Sequence, residues 1–315
     1  MKPIITIFEA IHDSGIKYLT KFADVRFAYG VDRMHCLKLS SESDAIVVKS
    51  VVQVDKELLN SSPGLRVVGR AGTGVDNIDI FEAKKLNIQI LTVPTGNSVS
   101  AAEFTILQIL LLCRRLVEVV DFVDKNDFRR HLLEGRELQG MTIGLVGLGN
   151  VGMLVSERLK AFGCKILGWD PYLENKSDFS SHGGICVESF EQLLSEVDIL
   201  SFHAKLTPEN YHMMGREQFK IVKSGLFLIN CARAGLVDQD ALLEFVNNGK
   251  IAMASLDVLY PEPPFNSFSE EHDYHHQLLK HPRIIVTPHI GASTVEAQKR
   301  ISLRLAKQLK KVLLN

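Results

Sequence analysis

The clearest chemistry in this sequence lies in three glycines and one acid. Thr142-Ile143-Gly144-Leu145-Val146 is an apolar, strand-like run that leads into Gly147-Leu148-Gly149-Asn150-Val151-Gly152, a G-x-G-x-x-G turn opening a helical pattern. Gly147 permits a tight turn. Gly149 has no side chain to block a pyrophosphate, which can sit on the N–H groups of Asn150 and Val151 where the helix begins. Gly152 lets that helix approach the strand. A second strand-like run, Lys165-Ile166-Leu167-Gly168-Trp169, ends in Asp170, at the distance of about 20 residues where a carboxylate accepts both hydroxyls of an adenosine ribose. Strand, glycine turn, helix and acid together predict a dinucleotide site. Asp170 is followed by Pro171 and Tyr172 with no arginine close by in sequence, which favours NAD over NADP because a carboxylate repels a 2′-phosphate.

Three further segments place reactive side chains at the ends of strand-like runs: Ile229-Asn230-Cys231-Ala232-Arg233, Leu256-Asp257-Val258 with Glu262-Pro263-Pro264, and Val286-Thr287-Pro288-His289. Oxidising an alcohol with NAD requires a base for the hydroxyl proton, and an acid substrate requires a cation. His289 is the group that titrates near neutrality and is the candidate acid/base. Glu262 beside it would fix its tautomer and favour its charged form. Arg233 offers a forked pair of donors to a carboxylate and would polarise the adjoining carbonyl.

These residues need a scaffold that brings strand ends together. Apolar, β-branched runs at Ile4–Phe8, Val25–Ala28, Ala45–Val48, Leu65–Val68 and Ile88–Val93 alternate with helical patterns such as Val54–Asn60 and Ile78–Leu86. A second series starts at Thr142, with strands expected near 142–147, 165–169, 197–202, 225–230, 251–257 and 283–287. Alternating strands and helices predict mostly parallel sheets. Between the two series a long helix is expected from the capping-box spacing of Ser100 and Glu103 to about Val123, and a final helix from about Ser293-Thr294 with the stripe Ile301, Leu305, Leu309 and Val312. A chain of 315 residues is long for one core.

Composition narrows the class. Lys plus Arg is 36 against 37 Asp plus Glu, so nothing in the net charge points to nucleic acid or to an anionic membrane. The longest apolar run, Phe104 to Cys113, is interrupted by Gln108 and is too short to span a bilayer. The chain begins Met1-Lys2-Pro3 and runs directly into a strand, so no signal peptide is expected. Five scattered cysteines with no C-x-x-C spacing indicate neither a disulfide framework nor a zinc site, and a reducing cytoplasm is the expected compartment. Glu270-Glu271-His272-Asp273-Tyr274-His275-His276 reads as an exposed loop rather than a metal site.

The motifs together resemble the D-2-hydroxy-acid dehydrogenase family. The likeness runs through Val67–Asp79 (VVGRAGTGVDNID), Gly96–Glu103 (GNSVSAAE), the glycine fingerprint, Asn230–Arg233, Leu256–Val258 with Glu262–Pro264, and Pro288–Thr294. The Gly69–Asp79 and Gly96–Glu103 stretches resemble the family's phosphoglycerate branch in particular. The resemblance implies two doubly wound parallel α/β domains with a cleft between them: a discontinuous, flavodoxin-like substrate domain of residues 1–97 and 290–315, and a Rossmann NAD-binding domain of residues 98–289. It implies Arg233, Glu262 and His289 as the catalytic trio, Asp257 and backbone near Cys231 at the nicotinamide, and His203 toward the adenine side. Lys49, Ser50 and Val51, with Arg70, Thr73 and Gly74, would form substrate loops, and Arg130 matches a basic position supplied by a partner subunit.

The activity implied is oxidation of the 2-hydroxyl of D-3-phosphoglycerate. The alternatives are a hydroxypyruvate or glyoxylate reductase and a non-enzymatic NAD-sensing corepressor; Glu262 argues against a formate dehydrogenase. Partners expected are a small-molecule substrate and a second copy, as a homodimer or dimer of dimers through residues 100–140, with no nucleic acid, membrane or metal. Two features depart from the branch: Lys49 stands where arginine is common, and Lys205 where proline is usual. With the chain stopping at Asn315, feedback by serine is not expected.

Overall fold

The computed structural model describes residues 2–264 and 272–314; Glu270 and Glu271 of the acidic-histidine segment lie outside them. The chain forms two compact units, Met1–Ser98 with Ala292–Asn315, and Val99–Gly291.

The first unit holds a five-stranded parallel sheet of β1 (Ile4–Ile7), β2 (Asp24–Phe27), β3 (Ala45–Val48), β4 (Val67–Arg70) and β5 (Gln89–Leu91), in the order β2-β1-β3-β4-β5. Its inner strands β1, β3 and β4 are mostly buried apolar residues because helices cover both faces, whereas the edge strand β2 buries none of its residues. Successive side chains point to opposite faces: Ile5, Ile7, Val47 and Val67 pack with Ile301, Leu305 and Leu309 of the last helix (Val295–Leu314), while Phe8, Ile46, Val48 and Val68 pack with Leu58, Leu59 and Ala83. Thr294 caps the last helix by accepting the Ala297 N–H at 3.2 Å.

The second unit is a seven-stranded parallel sheet of β6 (Thr142–Val146), β7 (Lys165–Trp169), β8 (Ile185–Cys186), β9 (Ile199–Phe202), β10 (Leu226–Asn230), β11 (Ile251–Leu256) and β12 (Ile284–Val286). Its order is β12-β11-β10-β9-β6-β7-β8, the doubly wound pattern that reverses direction between β6 and β9. The fold class expected from the sequence is therefore borne out. Each sheet has its topological switch point, β1/β3 in the first unit and β6/β9 in the second, and ligands of such sheets bind outside the carboxyl ends of the strands there.

Two expectations need correction. The long helix starts at Ser98, so Ser100 lies inside it, buried, and is no cap. It also ends at Arg114: Arg115 adopts a left-handed conformation (φ 49°), and a separate helix runs Leu116–Asp124. The Arg115 guanidinium holds the break by bonding Glu118 and the carbonyls of Leu132 and Glu134. The two-residue strand β8 was not expected at all.

Candidate active site

The glycine turn is built as its spacing requires. Gly147 has φ +91°, and a Cβ there would stand 2.5 Å from the Ala204 nitrogen. A Cβ on Gly152 would stand 2.2 Å from the Gly147 oxygen, so the helix Asn150–Leu159 can pack this closely only on a glycine. Gly149 is different: it precedes the helix with φ −78° and ψ −160°, and a Cβ there would meet nothing within 4 Å. The space above the first turn is open, and the N–H groups of Asn150 and Val151 begin the helix beneath it. Asp170 braces this cradle, accepting the Leu148 N–H on Oδ2 at 2.8 Å and the Tyr172 N–H on Oδ1 at 2.9 Å. Each oxygen keeps a lone pair for a ribose hydroxyl. An open anion site at a helix N-terminus with a fixed carboxylate on the next strand fits NAD, which Gly149, Asn150, Val151 and Asp170 would hold.

At the end of β9, the neighbour of β6, His203 donates its backbone N–H to the Val146 carbonyl, and Nε2 lies 3.1 Å from Ser201 Oγ. Burial pushes its pKa down to about 4, so the ring is neutral near pH 7. At the end of β10, buried Asn230 accepts the Ala232 N–H on Oδ1 (3.0 Å) and donates from Nδ2 to the Arg233 carbonyl (2.9 Å). The turn that presents Arg233 is thereby fixed from inside. The Cys231 thiol is pushed far up by burial and by the Asp257 charge. It stays protonated and is no nucleophile.

His289 and Glu262 meet: Nδ1 lies 2.9 Å from Glu262 Oε1, with both side chains part-exposed. His289 takes a left-handed backbone (φ 55°), uncommon for a residue with a Cβ. Asp257 explains how that conformation is held. It is 1% exposed, and accepts the Thr287 hydroxyl (2.6 Å) and the Ile290 N–H (2.9 Å) on Oδ1 and the Gly291 N–H (2.8 Å) on Oδ2. Burial pushes its carboxyl up, against the pull of these three bonds. Asp257 therefore straps down both sides of the His289 turn. Gln108 extends the strap, its Nε2 lying 3.4 Å from Thr287 Oγ1 while Oε1 accepts the Ser255 hydroxyl at 2.7 Å. Spacing gave no sign of Gln108 or Ser255. Asp257, His289 and Glu262 line one cavity of about 230 Å³ together with Thr287 and Tyr274.

In the first unit, Lys49, Ser50 and Val51 follow β3, Arg70 ends β4, and Thr73 and Gly74 follow it. Burial and the Arg70 charge hold the Lys49 pKa below the ordinary lysine value, while Glu9 pulls the other way. The Arg70 guanidinium lies over Gly72, where a Cβ would stand within bonding distance of it. Thr73 Oγ1 lies 3.1 Å from Asn97 Oδ1. Arg130 belongs to the second unit, at the start of the short helix Arg130–Leu132, and is exposed. Among the described residues no cluster of three His, Cys, Asp or Glu could hold a metal, and no helix is long and apolar enough to cross a membrane.

Known proteins resemble this chain along most of its length. The family described as D-isomer specific 2-hydroxyacid dehydrogenase, NAD binding domain, matches residues 106–291. The chain belongs to this family. Among sequence relatives of this D-isomer specific 2-hydroxyacid dehydrogenase chain is the D-3-phosphoglycerate dehydrogenase of Methanocaldococcus jannaschii, 37% identical over 98% of the chain and 57% of the relative. The Bacillus subtilis D-3-phosphoglycerate dehydrogenase is 38% identical over 84% of the chain and 49% of the relative. The chain thus spans about half the length of these relatives. Among solved structures, the D-lactate dehydrogenase from Aquifex aeolicus, complexed with NAD and lactic acid, superposes with a TM-score of 0.87 at 28% identity, covering 98% of this chain and 94% of that one.

Proposed function

We propose that this chain is an NAD-dependent dehydrogenase that oxidises the 2-hydroxyl of D-3-phosphoglycerate to the ketone of 3-phosphohydroxypyruvate. NAD supplies the acceptor for the hydride that leaves C2. His289 takes the hydroxyl proton on Nε2, since Nδ1 is engaged by Glu262, and the carboxylate stabilises the imidazolium that results. Arg233 holds the substrate carboxylate and draws charge from the forming carbonyl. The observation that carries this reading is the 2.9 Å His289–Glu262 pair on a turn strapped by Asp257, in a unit that matches an NAD-binding domain. Asp257, which lines the same cavity as Glu262 and His289, would hold the nicotinamide carboxamide.

The phosphate is the finer part of the proposal. Lys49 and Arg70 lie near each other in the first unit, and two cations suit a doubly charged group. Arg130 is a third candidate, contributed from a second copy. The likeness to a D-lactate dehydrogenase favours a second reading, a small unphosphorylated 2-hydroxy acid, but such a substrate leaves the second cation without an anion. Arg70→Ala separates the two: on the first reading it raises KM for phosphoglycerate and hardly changes that for glycerate, and an equal effect on both makes Arg70 structural.

The reading includes a homodimer. The helix Leu116–Asp124 buries none of its residues, and Leu116, Val117, Val120 and Val123 are each about half exposed, with Phe128 71% exposed nearby. A contiguous apolar face of this kind is what an isologous contact covers. The free cysteines suit a reducing cytoplasm.

A further inference from the structure

The loop after β3 is anchored by a residue outside every motif named above. Glu9 follows β1 closely, and its carboxylate accepts four consecutive backbone N–H groups: Lys49 at 2.7 Å, Ser50 at 3.1 Å, and Val51 and Val52 at 3.2 Å. The order β2-β1-β3-β4-β5 puts the switch point of this sheet between β1 and β3, the place where a doubly wound sheet offers backbone donors to an anionic ligand. Here a carboxylate of the protein has taken those donors. A substrate anion cannot use them without displacing Glu9. The cationic side chains at the same strand ends are Lys49, at the head of the anchored loop, and Arg70, at the end of β4. Arg70 owes its position to Gly72, which leaves room for the guanidinium.

We propose that Glu9 is the positioning residue of the anion site in this unit: it saturates the backbone of the loop after β3 and so assigns binding of the substrate's distal anion to the side chains of Lys49 and Arg70. The proposal rests on the phosphoglycerate reading and deepens it. A site made of two long cationic side chains selects for charge and reach rather than for close fit, so it favours a 2-hydroxy acid with an anionic group remote from C2 over lactate or glycerate.

The test uses Glu9→Gln and Gly72→Ala in the full chain. Glu9→Gln removes the charge and one acceptor but keeps the size; Gly72→Ala pushes the guanidinium aside and leaves the loop anchored. Amide hydrogen exchange over residues 49–52 is expected to accelerate about tenfold or more in Glu9→Gln and to stay unchanged in Gly72→Ala. Both variants are expected to raise KM for phosphoglycerate by about tenfold with KM for NAD unaltered. Unchanged exchange in Glu9→Gln, or an unchanged KM for phosphoglycerate in either variant, overturns the proposal. If the unsubstituted protein turns over glycerate better than phosphoglycerate, the substrate reading fails instead, and the exchange experiment still decides whether Glu9 holds the loop.

Discussion

Alanine at Gly149 and alanine at Gly152 should have opposite consequences, although the two glycines stand three positions apart in one motif. Gly149 has a backbone that alanine adopts without strain, and a Cβ there meets no protein atom within 4 Å. The methyl group instead enters the open space over the helix N-terminus. Gly149→Ala should fold with an unchanged melting temperature and bind NAD weakly. Losing one or two charge-assisted bonds to the pyrophosphate, each worth about 1.5–3 kcal/mol, weakens Kd by roughly 10- to 100-fold or more at 1.4 kcal/mol per decade. At Gly152 the added Cβ would lie 2.2 Å from the Gly147 oxygen and 3.3 Å from its carbonyl carbon. Those atoms are backbone, so the helix or the turn must shift, at an overpacking cost of about 1–3 kcal/mol. A drop in melting temperature of about 2–4 °C per kcal/mol should follow. Trp169, the single tryptophan, ends β7 next to Asp170 and provides the fluorescence signal for the titration. If Gly149→Ala binds NAD as tightly as the unsubstituted protein, or if it melts as early as Gly152→Ala, the cradle has been misread.

His289→Ala should lose about 10²–10⁴ in turnover with NAD affinity retained, and Glu262→Gln should lower kcat for oxidation, by less than His289→Ala does, with KM for NAD unaltered. The amide keeps the size of the carboxylate but not the charge that stabilises the imidazolium formed in the reaction, and unchanged turnover would show that the pair is not functional. His203 should make stability pH-dependent. Its pKa is about 4 in the fold against 6.5 in the unfolded chain, so the unfolded state binds more protons between those values; about 3 kcal/mol, fully present above pH 6.5, is lost as pH falls toward 4. Urea midpoints across that window should fall steeply, and His203→Gln should flatten the curve. Val120→Asp should convert the proposed dimer to monomer by light scattering, and an unsubstituted protein already monomeric at micromolar concentration would refute the interface.

What the sequence makes legible here is what local chemistry repeats. Both sheets could be read because buried parallel strands are continuous apolar runs and the helices between them have their own period. The glycine fingerprint and Asp170 could be read because each residue is tied to a neighbour by fixed covalent spacing. The break at Arg115 could not, since Arg114-Arg115-Leu116-Val117 continues a helical pattern and neither glycine nor proline marks the left-handed residue. β8 is two residues long, shorter than any periodicity can reveal. Glu9 and Gln108 stayed hidden for another reason. Each acts through hydrogen bonds to partners about 40 or more residues away, and only the folded chain brings them together. Asp257 could be located as a strand-end acid, but its bonds to Thr287, Ile290 and Gly291 appear only once the His289 turn is built.

Whether the protein is a phosphoglycerate dehydrogenase is tested most directly by steady-state turnover of the unsubstituted chain with NAD against D-3-phosphoglycerate, D-glycerate, D-lactate and D-2-hydroxyglutarate. NAD-dependent oxidation is expected with kcat/KM highest for phosphoglycerate. A higher kcat/KM for lactate or glycerate, or no turnover of any of the four, would contradict it.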